Sequence, residues 1–122
     1  MGSFWMKITE AGASFRLKDE NGQIVGKSKI YKTETSCLNG VASMRRCYGG
    51  GIEDHTVPEP PRVKHPKYEI YQDEAGEYRF LLRARNGESI LDSERSYPDK
   101  EACIAGIESV RRNVSGSELI RE

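Results

Sequence analysis

The sequence C-I-A-G-I-E-S-V-R-R, residues Cys103–Arg112, decides the fold because the chain contains it twice. Residues Cys37–Arg46, which lie 66 positions earlier, read C-L-N-G-V-A-S-M-R-R, and five of the ten positions are identical. Several of the remaining differences exchange one apolar residue for another. An internal repeat of this kind indicates that one structural unit is used twice.

The residues before the first copy predict three strands. Phe4–Thr9 is rich in aromatic and β-branched residues, and Ser14–Lys18 alternates apolar and charged side chains. The Asn21-Gly22 pair is a strong signal for a hairpin, so Gln23–Ser28 is expected to return as the third strand.

The second unit repeats this pattern. Its expected strands are Tyr68–Tyr71, Glu77–Arg83 and Glu88–Ser93, with Asn86-Gly87 at the hairpin. Register depends on the hairpin loops. A three-residue loop sets Leu17 opposite Val25, whereas a two-residue loop sets it opposite Gly26. The same alternatives in the second unit set Leu82 opposite Ile90 or Leu91. We prefer the longer loop because it pairs apolar residues in both units.

A helix is expected to end each unit. Thr33 is the predicted N-cap of a helix over Glu34–Tyr48, and Asp99 is the predicted N-cap of the second helix. At about 100° per residue, the large apolar residues form one stripe on each helix, which should pack on the sheet. The stripes are Cys37, Val41, Met44 and Tyr48 on the first helix, and Cys103, Ile107, Val110 and Val114 on the second. Small residues form an adjacent stripe on each helix: Ser36, Gly40, Ser43 and Cys47 on the first, and Ala102, Gly106 and Ser109 on the second. We expect these two stripes to face each other across a helix–helix contact.

Several segments resemble the YegP-like family of small bacterial proteins. They are Y-E-I-Y at Tyr68–Tyr71, A-G-E-Y-R-F at Ala75–Phe80, N-G-E at Asn86–Glu88 and the helix motif at Cys103–Arg112. The resemblance is close over 67–113 and looser over 4–47, where F-W-M-K replaces Y-E-I-Y. It implies a β-β-β-α unit, present once or in tandem, with the sheet on one side and the helices on the other. It implies no activity, because none is assigned to the family as a general property.

We therefore predict an α+β fold of two tandem pseudo-symmetric β-β-β-α repeats, forming an antiparallel sheet with two helices packed on one face. Residues 1–122 are expected to form a single domain. Its parts are repeat one at 4–48, a Gly/Pro-rich linker at 49–66, repeat two at 67–114 and a frayed tail at 115–122.

Charge is balanced overall but unevenly distributed. The formal net charge is zero, yet residues 1–50 carry eight Lys and Arg against four Asp and Glu, and residues 67–122 carry nine against twelve. The chain lacks the basic excess of a dedicated nucleic-acid binder. No apolar stretch has the length of a membrane span, and the N-terminus lacks the pattern of a signal peptide. We expect a cytoplasmic protein without a membrane partner.

The residue types that carry catalysis or bind metals do not form a recognisable pattern. Cys37, Cys47 and Cys103 are expected to be small buried residues without chemistry. His55 and His65 both lie in the linker, and no Cys/His spacing matches a zinc site. The sequence predicts no catalytic residues, no cofactor and no metal.

Arginine pairs end both helices, at Arg45-Arg46 and Arg111-Arg112. They can complement the helix dipole and cover the sheet edge, or they can contact an anion. The candidate surface contacts are Arg16, Lys18, Lys27, Lys29, Arg45, Arg46 and Arg112.

Two classes of function follow from these residues. We expect a non-enzymatic protein-interaction or structural module, which binds an unknown protein partner or itself through strand edges and the open sheet face. The alternative is a nucleic-acid or anion-binding module that uses the basic first repeat, with strand aromatics such as Trp5 stacking on bases.

Overall fold

Eight strands form one sheet, and two helices pack on it, in a computed structural model that describes residues 2–122. The elements in chain order are β1 (Ser3–Thr9), β2 (Gly12–Lys18), β3 (Ile24–Lys27), α1 (Glu34–Cys47), β4 (Gly51–Asp54), β5 (Lys67–Gln72), β6 (Tyr78–Arg83), β7 (Ser89–Asp92), α2 (Lys100–Val114) and β8 (Glu118–Arg121). The α+β fold with two β-β-β-α repeats is confirmed.

The strand order is β4-β5-β6-β7-β3-β2-β1-β8, so the two repeats meet in the middle of the sheet at β3 and β7. The strand that follows each helix joins the opposite repeat. β4 follows α1 and pairs with β5 in parallel, and β8 follows α2 and pairs with β1 in parallel. Each repeat therefore donates a fourth strand to the other.

Three of our expectations are wrong because of the exchanged strands β4 and β8. The sheet is mixed instead of wholly antiparallel, the linker over 49–66 contains β4, and the expected frayed tail over 115–122 contains β8. Each four-residue segment gains backbone hydrogen bonds from a strand of the other repeat, which order it. Neither partner strand is adjacent in sequence, so local sequence patterns did not indicate the pairing.

Both hairpins turn at glycines with positive φ, 79° at Gly22 and 86° at Gly87. Next to each turn the register is that of the longer loop, because Lys18 pairs with Ile24 and Arg83 pairs with Ser89. A β-bulge after Leu17 and after Leu82 then shifts the register by one residue, so Leu17 pairs with Gly26 and Leu82 with Leu91. The longer loop is confirmed, but the leucine pairings expected from it are wrong. At the centre of the sheet, the residue opposite Leu17 has no room for a side chain. A Cβ at Gly26 would lie 2.7 Å from Cδ2 of Leu91, so the leucine of repeat two occupies the space that a side chain opposite Leu17 would need.

The core lies between the helices and one face of the sheet. Thr33 and Asp99 cap the helices as predicted, since their side chains accept hydrogen bonds from the N–H groups of Ser36 and Ala102. The large helix stripes are buried except for the partly buried Tyr48. Alternate strand residues complete the core, among them Phe4, Met6, Phe15, Leu17, Tyr68, Ile70, Phe80 and Leu82.

The expected helix–helix contact between small residues is wrong. A Cβ at Gly40 would lie 2.9 Å from Cζ of Tyr31, and one at Gly106 would lie 2.7 Å from Cζ of Tyr97. The two tyrosines stack on Phe15 and Phe80 at centroid distances of 6.4 and 6.3 Å. Each helix glycine therefore makes room for a tyrosine of its own repeat.

This packing predicts that Gly106→Ala destabilises the protein by about 1–3 kcal/mol, as overpacking does. At an unobstructed helix position the same change would stabilise by up to about 1 kcal/mol. Urea denaturation measures the free energy of unfolding. In a Tyr97→Ala background, Gly106→Ala should cost little or become stabilising, and stabilisation in the otherwise wild-type chain would contradict the packing role.

Candidate functional site

One face of the sheet faces away from both helices, and we call it the open face. Side chains alternate along a strand, so the residues between the buried positions of β1 and β2 lie on it. Trp5, Arg16 and Lys18 occupy such positions, and Lys27 pairs with Arg16 on the neighbouring strand. The ammonium of Lys18 lies 4.2 Å from the centre of the Trp5 ring, a cation–π distance.

The predicted basic residues do not form one patch. Arg16, Lys18 and Lys27 share the open face. Lys29 follows β3 and lies over the Tyr31 ring at 5.4 Å, and Arg46 and Arg112 are exposed on the helices. The seven candidate contacts therefore divide between the open face, the helices and the segment that joins β3 to α1.

The first arginine of each pair connects the two repeats. Arg45 donates from Nη1 to the carbonyl oxygen of Ser117 at 2.9 Å, and its guanidinium lies 5.4 Å from the Phe4 ring. Arg111 donates from Nη2 to the carbonyl oxygen of Gly50 at 2.6 Å and lies 5.3 Å from the Tyr68 ring. Ser117 and Gly50 immediately precede the exchanged strands. Each arginine thus joins the first strand of its own repeat to the strand that enters from the other.

A charged cluster occupies the open face of repeat two. Glu53 on β4 pairs with Glu69 on β5, which brings two carboxylates side by side. Lys67 Nζ lies 2.7 Å from Oε2 of Glu53 and 3.5 Å from Oε2 of Glu69, and Arg83 Nε lies 3.0 Å from Oε1 of Glu69. The side chains of Glu53, Lys67 and Glu69 are only 7–12% exposed.

Part of the linker covers this cluster. The N–H group of Val63 donates to Oε2 of Glu53 at 2.7 Å, and His55 Nε2 lies 2.8 Å from Oε1. The hydrogen bonds from Lys67, Val63 and His55, in that order of importance, lower the pKa of the Glu53 carboxyl from 4.5 to about 2. Glu53 is therefore ionised throughout the neutral range.

Sequence reasoning missed this cluster because it treated His55 as part of a flexible linker. The segment Gly51–Asp54 is β4, and His55 follows it directly. Alternation in I-E-D-H puts Glu53 and His55 on one side of an extended segment, and this was the available signal. Glu69 joins them only through the parallel pairing of β4 with β5, which local patterns do not indicate.

All three cysteines are free and buried. Burial raises the pKa of the Cys103 thiol to about 11 and also raises the pKa of the Cys37 thiol. Both are thiols at neutral pH, so neither is an activated nucleophile. The described helices of residues 2–122 include none long and apolar enough to cross a membrane.

A single sheet of two β-β-β-α-β units with exchanged last strands defines a class of small duplicated α+β proteins. A family model described as a domain of unknown function, DUF1508, matches residues 12–50 and 73–120, and the chain belongs to this family. The two matched segments fall in the two repeats.

Similar proteins match either part of this chain or nearly all of it. The chain is 31% identical to the UPF0339 protein YegP of Yersinia pestis, over 93% of this chain and 88% of that protein. A UPF0339 protein of Agrobacterium fabrum is 50% identical over 54 residues, which are 44% of this chain but 86% of the relative. The solution NMR structure of yegP from E. coli, a protein of unknown function, superposes with a TM-score of 0.78 at 25% identity, covering 99% of this chain and 92% of that one. These likenesses establish the fold.

The arginine contacts predict unequal effects of two neighbouring substitutions. Arg111→Ala removes a charged hydrogen bond to a carbonyl and should lower the free energy of unfolding by about 1.5–3 kcal/mol. Arg112→Ala is the matched control, and its effect should stay within about 0.5 kcal/mol because Arg112 is exposed. Urea denaturation of both variants checks this. Equal effects would contradict the connecting role of Arg111.

The lowered pKa of Glu53 predicts a pH-dependent effect on stability. The carboxylate stabilises the folded chain at pH values above its unfolded pKa of about 4.5, and this contribution is lost as the pH falls through the folded pKa of about 2. Glu53→Gln should therefore destabilise strongly at pH 7, less at pH 3 and least at pH 2. The exposed Glu118→Gln is the control. Equal destabilisation by Glu53→Gln at every pH, in urea denaturation, would rule out the charge as the cause.

Proposed function

We propose that this protein is a non-enzymatic binding module and that the open face of repeat one is its recognition surface. We call the residues Trp5, Arg16, Lys18 and Lys27 the basic face. The proposal assigns the basic face to a protein partner that presents acidic side chains, and a second copy of the chain could supply them from its acidic second repeat.

One observation carries this proposal, namely the contrast between the cations of the two repeats. On the open face of repeat two, Lys67 and Arg83 are paired with Glu53 and Glu69. On the basic face, the ion pair formed within residues 2–122 joins Lys27 Nζ to Oε2 of Glu94, at 4.0 Å. Cations without carboxylate partners attract acidic groups and increase the rate of association with them.

The proposal predicts that charge reversal at the basic face abolishes partner binding. Arg16→Glu combined with Lys18→Glu leaves the buried face of β2 unchanged, so the variant should fold. Affinity-tagged wild type and variant are compared for co-purified proteins, and sedimentation equilibrium measures self-association. Lys32→Glu with Arg112→Glu, outside the basic face, is the charge-matched control. Identical partners and identical self-association for all three chains would contradict the proposal.

A second candidate is a single-stranded nucleic-acid binding module, and the position of Trp5 favours it. Aromatic residues beside cations on an open sheet bind single strands by stacking and phosphate contacts. Trp5 is the only tryptophan, so its fluorescence reports directly from the basic face. Titration with a single-stranded RNA oligonucleotide should quench Trp5, more strongly at low than at moderate salt, if this candidate is correct. Unchanged fluorescence at low salt would remove it.

The proposal includes a cytoplasmic location. Three free, buried thiols are compatible with a reducing compartment, in which disulfides are rare.

A further inference from the structure

The two halves of the sheet build the same position on the open face with different chemistry. Trp5 lies between Arg16 on β2 and Ile120 on β8. Glu69 occupies the equivalent place, between Leu81 on β6 and Glu53 on β4. An aromatic and an aliphatic side chain in one half thus correspond to two carboxylates in the other.

The same correspondence extends to His55. The N–H group of His55 donates to the carbonyl oxygen of Ile70 at 2.9 Å, and that of Glu122 donates to the carbonyl oxygen of Met6 at the same distance. His55 and Glu122 are therefore equivalent positions beyond the exchanged strands.

The fold does not require the buried carboxylates. The half that contains Trp5 and Ile120 forms the same strand pairings without them. Burying carboxylates side by side costs free energy unless cations or a ligand neutralise them, and in this cluster Lys67 and Arg83 supply two cations. Together with a histidine nitrogen directed at both, this placement is typical of a ligand-binding site.

The geometry of three atoms matches a metal centre. Nε2 of His55 lies 2.8 Å from Oε1 of Glu53 and 3.8 Å from Oε2 of Glu69, and all three ligand atoms lie within 4.8 Å of one another. Tetrahedral zinc with ligand bonds of about 2.0–2.1 Å places its ligand atoms about 3.3 Å apart. The two separations from His55 would change by about 0.5 Å each, and the separation of the two carboxylate oxygens by up to about 1.5 Å, to reach that spacing.

Lys67 and Arg83 are compatible with this arrangement. Lys67 Nζ donates to Oε2 of Glu53, whereas His55 contacts Oε1, so one oxygen of Glu53 can ligate while the other keeps its lysine. Arg83 holds Oε1 of Glu69, whereas Lys67 Nζ lies 3.5 Å from Oε2, so metal binding at Oε2 requires Lys67 to keep only its shorter contact with Glu53. Hydrogen bonds to the second oxygen of a ligating carboxylate orient it, although the positive charge of Lys67 lowers the affinity for a cation.

We propose that Glu53, His55 and Glu69 form a three-ligand site for a divalent transition-metal ion, for which Zn²⁺ is the best match. Imidazole and carboxylate donors suit zinc, and three protein ligands leave its fourth position open. Glu53, His55 and Glu69 line a cleft of about 770 Å³, which Arg62 and His65 of the linker also line. The site lies on the same open face as the basic face but in the other half of the sheet. It is independent of the proposed function.

Isothermal titration of the metal-free full-length chain with Zn²⁺ tests the proposal. We expect one ion per chain. His55→Ala is the principal variant, because His55 is partly exposed and its loss should leave the fold intact, and Glu69→Gln is the second. Each should weaken zinc binding by about tenfold or more. Glu122→Ala, at the equivalent position of the other half, is the matched control and should bind zinc like the wild type.

Cobalt substitution identifies the donor atoms. Co²⁺ at this site should show the visible absorption of nitrogen and oxygen ligands without the intense near-ultraviolet band of sulfur ligation, which separates it from any binding at cysteine. Circular dichroism confirms that each variant is folded. The proposal is overturned if the wild type binds no zinc, if folded His55→Ala binds zinc as tightly as the wild type, or if the cobalt spectrum shows sulfur ligands.

Discussion

A β-strand is stable only where its backbone groups find hydrogen-bond partners, and in this chain each repeat leaves an edge that the other repeat fills. The direct pairing between the halves is short, since β3 and β7 share the pair Lys27 and Asp92. The exchanged strands β4 and β8 supply the larger connection, because each forms a four-residue parallel pairing with the opposite repeat. Most of the strand pairing between the two halves therefore comes from this exchange.

The exchange constrains one duplicated feature, the arginine contacts, and leaves another, the open face, free to diverge. Arg45 and Arg111 keep the same task in both repeats, since each holds the carbonyl that precedes an incoming strand. The open face does not share this constraint. Its side chains contact neither helix, so Trp5 and Glu69 could diverge at equivalent positions while the core beneath them stayed the same. The two halves consequently present a basic face with an aromatic residue at one end of the sheet and a charged cluster at the other.

Local patterns were sufficient to predict the two repeats, the three hairpin-connected strands of each and both helix caps, because alternation, Asn-Gly turns and capping residues act over a few positions. The same reasoning failed for β4 and β8, whose partners lie in the other repeat, and for Gly106, whose neighbour Tyr97 precedes the helix in a loop. The cluster at Glu53 and Glu69 was missed because it forms only when β4 pairs with β5 of the other repeat. The basic residues can be read from the sequence. Which surface each one lies on depends on the alternation of side chains along the strands and on where the helices pack.

Long-range NMR contacts in the isotopically labelled full-length chain test the strand exchange most directly. The account predicts nuclear Overhauser effects between Phe4 and Leu119 and between Ile52 and Tyr68, which are paired across β1 with β8 and β4 with β5. A mixture of labelled and unlabelled chains, analysed with isotope filters, should show that these contacts arise within one molecule. Random-coil shifts and no long-range contacts for residues 118–121, or contacts found only between molecules, would contradict the account.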